Sequence, residues 1–195
     1  MNGAPGGARV IPFPTTPGAT AATESSAENA FSTFYAVTAR PLWSYLRAAC
    51  GNPAVADDLL QESYLRLLSA DLARGHFAHG GESGRRAYLY RIASNLLRDH
   101  WRRSRRRPEA EPLDDEAFAA GSAASPAVDG LDVRRALARL QPRDRQLLWL
   151  AHVEGSSHRE VAAILGLGTA SVRVLLFRAR RRMAAALPQA PKGRR

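Results

Sequence analysis

Lysine and cysteine are nearly absent from this chain of 195 residues. Cys50 is the single cysteine, which excludes an intramolecular disulfide and a cysteine-based zinc cluster and is typical of a reducing compartment. Lys192 is the single lysine, so the formal net charge of +10 comes almost wholly from arginine. Arginine binds phosphate through a forked, always-charged group, although a GC-rich genome also raises its frequency. The charge therefore favours a polyanionic partner without proving one.

Long apolar runs are also missing. No stretch approaches the roughly 20 apolar residues that are needed to span a bilayer. The N-terminus lacks the charged-then-apolar order of a signal peptide. We therefore expect a cytoplasmic protein without membrane insertion.

The two ends of the chain lack the apolar periodicity of a packed domain. Residues 1–29 are rich in Gly, Pro, Ala, Thr and Ser, and they cannot bury enough apolar surface to offset their ordering entropy. We predict a disordered tail there and a second, flexible tail over residues 188–195. Between the tails, apolar residues recur at helical spacing, which predicts an all-α fold.

Two amphipathic helices are predicted in the first half of the chain. The first covers residues 30–50, and Pro41 is expected to interrupt or kink it. The second covers residues 54–69 and carries acidic residues beside leucines in its early turns. Acidic residues there favour the helix dipole, and they also give this basic protein one surface for a basic partner helix. The pattern alone leaves both interpretations open.

A glycine-rich stretch over residues 71–84 is predicted to be a loop. His76, His79 and Glu82 within it suggest a metal site. A three-residue histidine spacing in such a loop, without further nearby ligands, is weak evidence, so neither a metal nor another cofactor is predicted.

A third helix is predicted over residues 85–107, where Tyr90 and Trp101 lie among arginines. Aromatic rings beside arginines suit unpaired bases and their phosphates. The same pattern suits two core aromatics beside a solvated basic helix end, and the sequence leaves the two interpretations about even.

Residues 108–130 reverse the charge, with six acidic residues and no basic one among Pro, Ala, Gly and Ser. This composition predicts a flexible acidic linker that joins two small helical domains, residues 30–107 and 131–187. Acid between two basic blocks preserves solubility, and it could also occupy a positively charged channel that normally takes nucleic acid.

The stretch from Ser157 to Arg182 has the spacing of a helix-turn-helix. Gly166 can end the first helix in a left-handed conformation, and the second helix begins near Gly168 or Thr169. An outer face rich in arginine suits insertion into the major groove. An αα-hairpin in an ordinary bundle is the alternative.

Three motifs resemble those of alternative bacterial sigma factors of the extracytoplasmic-function group, in the order of that family. They read DDLLQESYLRLL at 57–68, RRAYLYRIASNLLRDHWRR at 85–103 and LQPRDRQLLWLAHVEGSSHREVAAILG at 140–166. The resemblance implies a first domain of sigma region 2 and a second of sigma region 4. It also implies a subunit without catalysis of its own, which directs core RNA polymerase to promoters and helps to open the DNA.

The resemblance implies which residues contact polymerase and which contact the two promoter elements. Docking on the coiled coil of the largest polymerase subunit falls to Asp58, Leu59, Gln61, Glu62 and Leu65. Contact with the minus-ten element falls to Tyr88, Arg91, Asn95, Arg98, Arg102 and Arg103. Contact with the minus-thirty-five element falls to Arg159, Thr169, Ser171, Arg173 and Arg178.

The implied partners are core RNA polymerase, through its coiled coil and its flap, and promoter DNA, with an anti-sigma factor as a further candidate and no small-molecule substrate. Val174 and Leu175 depart from the family, which tends to have Ser and a basic residue there. They either pack against the core, which is the simpler account, or contact an inhibitory partner.

Two other classes of protein stay open at this stage. A helix-turn-helix regulator that acts on duplex DNA without polymerase would have no use for the first two motifs. A nuclease using His76, His79, Glu82 and His100 ranks lowest, since the sequence contains no paired carboxylates and no nucleophile-base motif.

Overall fold

Seven helices make up the part of the chain that our computed structural model describes, residues 18–74, 81–106 and 128–187. They are α1 Gly18–Cys50, α2 Pro53–Arg74, α3 Gly81–Arg106, α4 Val128–Ala138, α5 Pro142–His152, α6 His158–Leu165 and α7 Thr169–Ala186. These three described ranges contain no strand. The predicted all-α fold class is confirmed.

Several helices are longer than predicted. Helix α1 begins at Gly18, inside the predicted disordered tail, because the stretch before residue 30 is rich in alanine, the strongest helix former. Helices α2 and α3 take up both ends of the predicted 71–84 loop. The remainder of the N-terminal tail, His76 and His79, most of the acidic linker and the C-terminal tail lie outside the described residues.

Pro41 does not interrupt α1, which is helical on both sides of it. A proline inside a helix costs about 3 kcal/mol, because it removes one backbone hydrogen bond and crowds the preceding turn. The residues that follow compensate for this cost, since Leu42, Tyr45 and Leu46 are fully buried. Packing therefore keeps α1 helical on both sides of Pro41.

The first three helices form one packed group. At the α1–α2 turn, Gly51 has a φ of 80°, which favours glycine. The hydroxyls of Thr38 and Tyr64 lie 2.7 Å apart and join α1 to α2 inside the core. A buried ion pair, Arg85 to Asp71 at 2.9 Å, joins α3 to α2. These contacts fix the outer faces of α2 and α3 relative to each other.

The last four helices form a second group around the helix-turn-helix. Pro142 occupies the first turn of α5, and Asp144 in the same turn accepts a 2.6 Å hydrogen bond from Arg182 of α7. Val161 and Val172 are fully buried where α6 crosses α7. Val153 is 60% exposed, because α5 ends one residue before it.

The two groups pack on each other through α1 against α5 and α3 against α6. Their buried apolar residues form one continuous cluster that runs from Phe34 to Ala179. The face that α3 turns toward α6 adjoins the residues assigned to promoter DNA, so this packing determines which of them are accessible.

Candidate nucleic-acid interface and docking surface

Four residues on the outer side of α2 form an acidic surface around an exposed leucine. Gln61 and Glu62 each lie three or four residues from both Asp58 and Leu65, so the four residues share one face of the helix. Leu65 is 59% exposed. Glu62 forms an ion pair of 2.7 Å with Arg66 on the next turn. We call these four residues the docking surface, since their acidic and apolar chemistry suits a basic helix.

The structure corrects the placement of Leu59, which the resemblance assigned to the same surface. Its side chain is only 6% exposed and belongs to the core between α1, α2 and α3. The apolar spacing of α2 turns residues 56, 59, 63 and 67 inward together, so Leu59 cannot share the face of Asp58 and Leu65. It supports the docking surface from behind.

Five of the six residues assigned to the minus-ten element form a line along α3. Tyr88, Arg91, Asn95, Arg98 and Arg102 follow one another at intervals of three or four, and we call them the α3 stripe. The four polar residues are exposed, and the Tyr88 ring is half-buried against the core. The stripe thus combines one fixed aromatic ring with three guanidinium groups and an amide.

Arg103 is exposed but lies on a different face of α3, next in sequence to Arg102. Arg103 is close enough to the half-buried His100 ring to change the pKa of that ring. Burial lowers the pKa of His100, and the positive charge of Arg103 lowers the pKa further. Arg103 can reach a phosphate only beside the stripe.

Tyr90 belongs to the core, which decides for this residue between the two interpretations that the sequence left open, whereas Trp101 lies at the edge of the core. Tyr90 is 2% exposed, and its ring centroid lies 5.3 Å from that of Tyr45. Trp101 is partly buried against the same apolar cluster. The Tyr90 ring is therefore not available to an unpaired base in this arrangement.

A buried carboxylate holds α3 against the second group of helices. Glu154 accepts hydrogen bonds from Arg86 of α3 and, at 3.1 Å, from the Trp149 indole. Its side chain is 5% exposed. Burial and the neighbouring negative charge of Glu154 raise the pKa of Tyr90, so this phenol stays neutral. Arg86 and Glu154 had no local motif in the sequence, because 68 residues separate them.

A second polar contact joins α1 to α5. The Tyr45 hydroxyl lies 2.7 Å from Ser94 Oγ of α3 and accepts a 2.8 Å hydrogen bond from the Gln146 amide. Arg145 donates to the carbonyl oxygen of Ala48 at 3.3 Å. Burial raises the pKa of Tyr45, and its hydroxyl remains a neutral bridge between three helices.

The helix-turn-helix has well-defined ends. Ser157 and Glu160 form a capping box, in which each side chain accepts a hydrogen bond from the other residue's backbone N–H. The backbone and hydroxyl hydrogen bonds of Ser157 lower the pKa of Glu160. Gly166 ends α6 at φ 65°, ψ 43°, the left-handed conformation that its position predicted.

The residues assigned to the minus-thirty-five element are accessible. Gly168 caps α7, which begins at Thr169 as predicted. The exposed assigned residues are Arg159, Thr169, Ser171, Arg173 and Arg178. Arg159 lies on α6 and the others lie on α7, as in a unit that places its second helix in the major groove.

Val174 and Leu175 behave differently from each other. Leu175 is half-buried and packs against the core, whereas Val174 is 49% exposed, so core packing does not account for it. Phe177 is also 59% exposed. The sequence analysis missed Phe177, although its position three residues after Val174 was the available signal.

Among the described residues, no group of three or more His, Cys, Asp or Glu side chains could hold a metal ion. No single helix in the same ranges is long and apolar enough to cross a bilayer. The α6–α7 pair passes that test jointly but bends by 97° between its two members.

Comparisons with known sequences match both halves of the chain. The sigma-70 region 2 family matches residues 34–107, and the sigma-70 region 4 family matches residues 130–183. The ECF RNA polymerase sigma factor SigF of Caulobacter vibrioides is 33% identical over 141 residues, which cover 72% of this chain and 75% of that protein. The ECF RNA polymerase sigma factor BldN of Streptomyces coelicolor is 30% identical over 165 residues, 82% of this chain and 61% of that protein.

A solved structure shares the fold. It is the sigma factor RpoE of Bartonella quintana in complex with the anti-sigma factor NepR. It is 21% identical, with a TM-score of 0.65, and the match covers 80% of this chain and 95% of that one. At this identity the similarity concerns the fold alone.

Proposed function

Because this chain belongs to the sigma-70 family, in its extracytoplasmic-function group, we propose that its three exposed surfaces divide the work of promoter-directed transcription. The docking surface binds core RNA polymerase, the α3 stripe binds the minus-ten element, and α7 binds the minus-thirty-five element. The observation that carries this proposal is the accessibility of all three surfaces on separate helices. The chain acts in the cytoplasm and performs no catalysis of its own.

The docking surface suits its proposed partner by charge. The whole chain carries a formal charge of +10, yet Asp58 and Glu62 flank the exposed Leu65 on one helix face. A basic helix of the polymerase would pair with the two carboxylates while its apolar side covers the leucine. Such charge complementarity also steers the encounter and rejects acidic surfaces.

The α3 stripe suits a strand that has left the duplex. Unstacking a base costs a few kcal/mol, which stacking and phosphate contacts must offset. The Tyr88 ring offers a face for stacking, while Arg91, Arg98 and Arg102 can hold the phosphates of one strand along the helix. Asn95 adds a donor and an acceptor for a base edge.

The packed arrangement of the two helix groups is incompatible with simultaneous binding of both elements. Positions minus ten and minus thirty-five are about 25 base pairs apart, or about 85 Å along B-DNA. Here α3 and α6 are in direct contact. Polymerase binding would therefore separate the two groups, and the linked domains would then bind as a bivalent ligand.

An anti-sigma factor is a further proposed partner. The structurally similar protein of Bartonella quintana is bound to one. A protein that holds the two groups of this chain together would prevent the separation that simultaneous binding of both promoter elements requires.

In vitro transcription from a genomic promoter library tests the proposal. Purified core polymerase is assayed with and without the full chain, and the start sites are mapped. We expect discrete new starts that share two upstream elements, and their loss with the Leu65→Asp variant. The control variant Arg40→Ala changes an exposed residue of α1 outside the docking surface and should keep the starts. Duplex binding without any new start would instead favour a polymerase-independent regulator.

A further inference from the structure

The outermost line of α7 is apolar, although the helix contains five arginines and no acidic residue. Ala170, Val174, Phe177 and Arg181 follow at intervals of four, three and four, which places them on one side of the helix. Val174 is 49% exposed and Phe177 is 59% exposed. The opposite side carries the buried Val172, Leu176 and Ala179. Core packing is thus complete without the two exposed apolar side chains.

Positive charge flanks this apolar line on both sides. At 100° per residue, Ser171 and Arg178 lie to one side of it, and Arg173 and Arg180 lie to the other. A helix lying in the major groove has a phosphate backbone on each side and base edges in front. The arrangement of α7 matches that environment, with cations toward the two backbones and apolar groups toward the bases.

The base edges contain one apolar group that such a line can contact. Thymine carries a 5-methyl group in the major groove, and Val and Phe side chains have no hydrogen-bonding atoms with which to read any other base edge. A protein with an acidic and apolar surface could also cover this line. Such a partner would not need arginines on both sides of the line, whereas the two phosphate backbones of a major groove would pair with both. The two-sided charge favours duplex DNA.

The apolar line also remains accessible while the two helix groups are packed together. Helix α7 packs mainly on α4, α5 and α6, whereas α3 is covered by α6. No rearrangement is needed to present Val174 and Phe177 to DNA.

From these observations we infer that Val174 and Phe177 determine specificity by contacting thymine methyl groups in the upstream promoter element. The inference rests on the proposed role of α7 in binding that element. It adds which bases are preferred, and it assigns a role to two residues that the family resemblance did not include.

Deoxyuridine substitution tests this contact, because uracil keeps the pairing edge of thymine and lacks only the 5-methyl group. Each thymine of the mapped upstream element is replaced in turn, and binding of the holoenzyme is measured. Loss of a buried methyl contact should weaken binding by about 3-fold to 5-fold at one or two positions. Val174→Ala or Phe177→Ala should remove the difference between thymine and uracil at those positions, as in a double-mutant cycle.

Val133→Ala is the matched control, since Val133 is a 41% exposed valine of α4 in the same helix group. It should keep the full thymine preference. Equal binding of thymine and uracil templates at every position overturns the inference, as does a preference that survives in both α7 variants. So does a loss of anti-sigma binding by those variants while promoter binding is unchanged. Failure of the proposed function is distinguishable, since the wild-type holoenzyme would then start no transcription at all.

Discussion

Arg98 of α3 donates a hydrogen bond of 3.1 Å to the carbonyl oxygen of Leu165, the last residue of α6. It also donates to the Asn95 side chain at 3.2 Å. Two members of the α3 stripe are therefore engaged inside the protein, and one of them contacts the helix-turn-helix itself. If Arg98 contacts the minus-ten element as we propose, promoter DNA and the packed arrangement compete for the same guanidinium group.

Replacing Arg86 by alanine should shift the chain toward separated helix groups. The variant leaves the Glu154 carboxylate buried without its cation, which is costly in this environment. The distance distribution between spin labels at Ser69→Cys on α2 and Ala184→Cys on α7 should broaden toward longer values. Cys50 can stay in place, because burial raises the pKa of its thiol and slows its labelling.

Arg66→Ala is the matched control for this measurement. It also removes an arginine from an ion pair, but the pair is exposed and lies within α2. Such pairs contribute about 0.3 to 0.5 kcal/mol. An equal broadening in both variants would show that the Arg86–Glu154 contact does not hold the groups together.

The buried position of Leu59 and the exposed position of Leu65 predict opposite phenotypes. Leu65→Asp should leave the thermal unfolding midpoint nearly unchanged and weaken binding to core polymerase by about 10-fold or more. Leu59→Ala should cost about 2 to 5 kcal/mol of stability through a core cavity. Calorimetry measures the loss of stability, and a polymerase binding titration measures the loss of affinity. A Leu59→Ala variant that stays stable but loses affinity would show that Leu59 contacts polymerase.

Arginines on the α3 stripe should contribute more to promoter opening than the neighbouring Arg103. Arg91→Ala or Arg102→Ala each removes one phosphate contact and should reduce the slope of log affinity against log salt by about 1. Arg103 lies off the stripe, so Arg103→Ala should change the slope of log affinity against log salt less. Permanganate reactivity of unpaired thymines reports the opening step. Equal effects of all three changes would mean that general charge, rather than the stripe, holds the strand.

The capping box predicts a dependence of stability on pH. Because the pKa of Glu160 is lowered from its ordinary value of 4.5, its contribution is present above that pH and is lost as the pH falls through the lower folded-state value. Ser157→Ala removes the hydroxyl, which is the second cause of the lowered pKa, and keeps the backbone N–H that donates to Glu160; it should cost about 1 kcal/mol at neutral pH. In urea unfolding, the gap between wild type and variant should narrow in acid below 4.5. A gap that stays constant would assign the loss to the hydroxyl alone.

Sequence patterns predicted the local features of this molecule better than its long-range ones. The all-α class, the family and the left-handed Gly166 are confirmed, because each depends on neighbouring residues or on short motifs. The resemblance assigned both Leu59 and Leu65 to the docking surface, whereas the structure buries Leu59 and exposes Leu65. The residue roles on α2, α3 and α7 stay predictions.

What the sequence did not predict depends on tertiary contacts. No local signal connects Arg86 with Glu154 or Tyr45 with Gln146, since each pair meets only after the two helix groups pack. The exposure of Val174 also depends on which side of α7 its neighbours cover. The unbroken helix through Pro41 has the same origin, because burial of the following turn outweighs a local penalty.

The continuous apolar cluster that joins the two helix groups has a thermodynamic consequence. While the groups are packed, they should unfold together, in one transition with the enthalpy of the whole described chain. Any ligand that separates them divides that cooperative unit into two smaller and less stable ones. Contacts with polymerase would then replace the stabilising contacts that the two helix groups lose when they separate. After release from polymerase, each group would have only its own lower stability until the two groups pack together again.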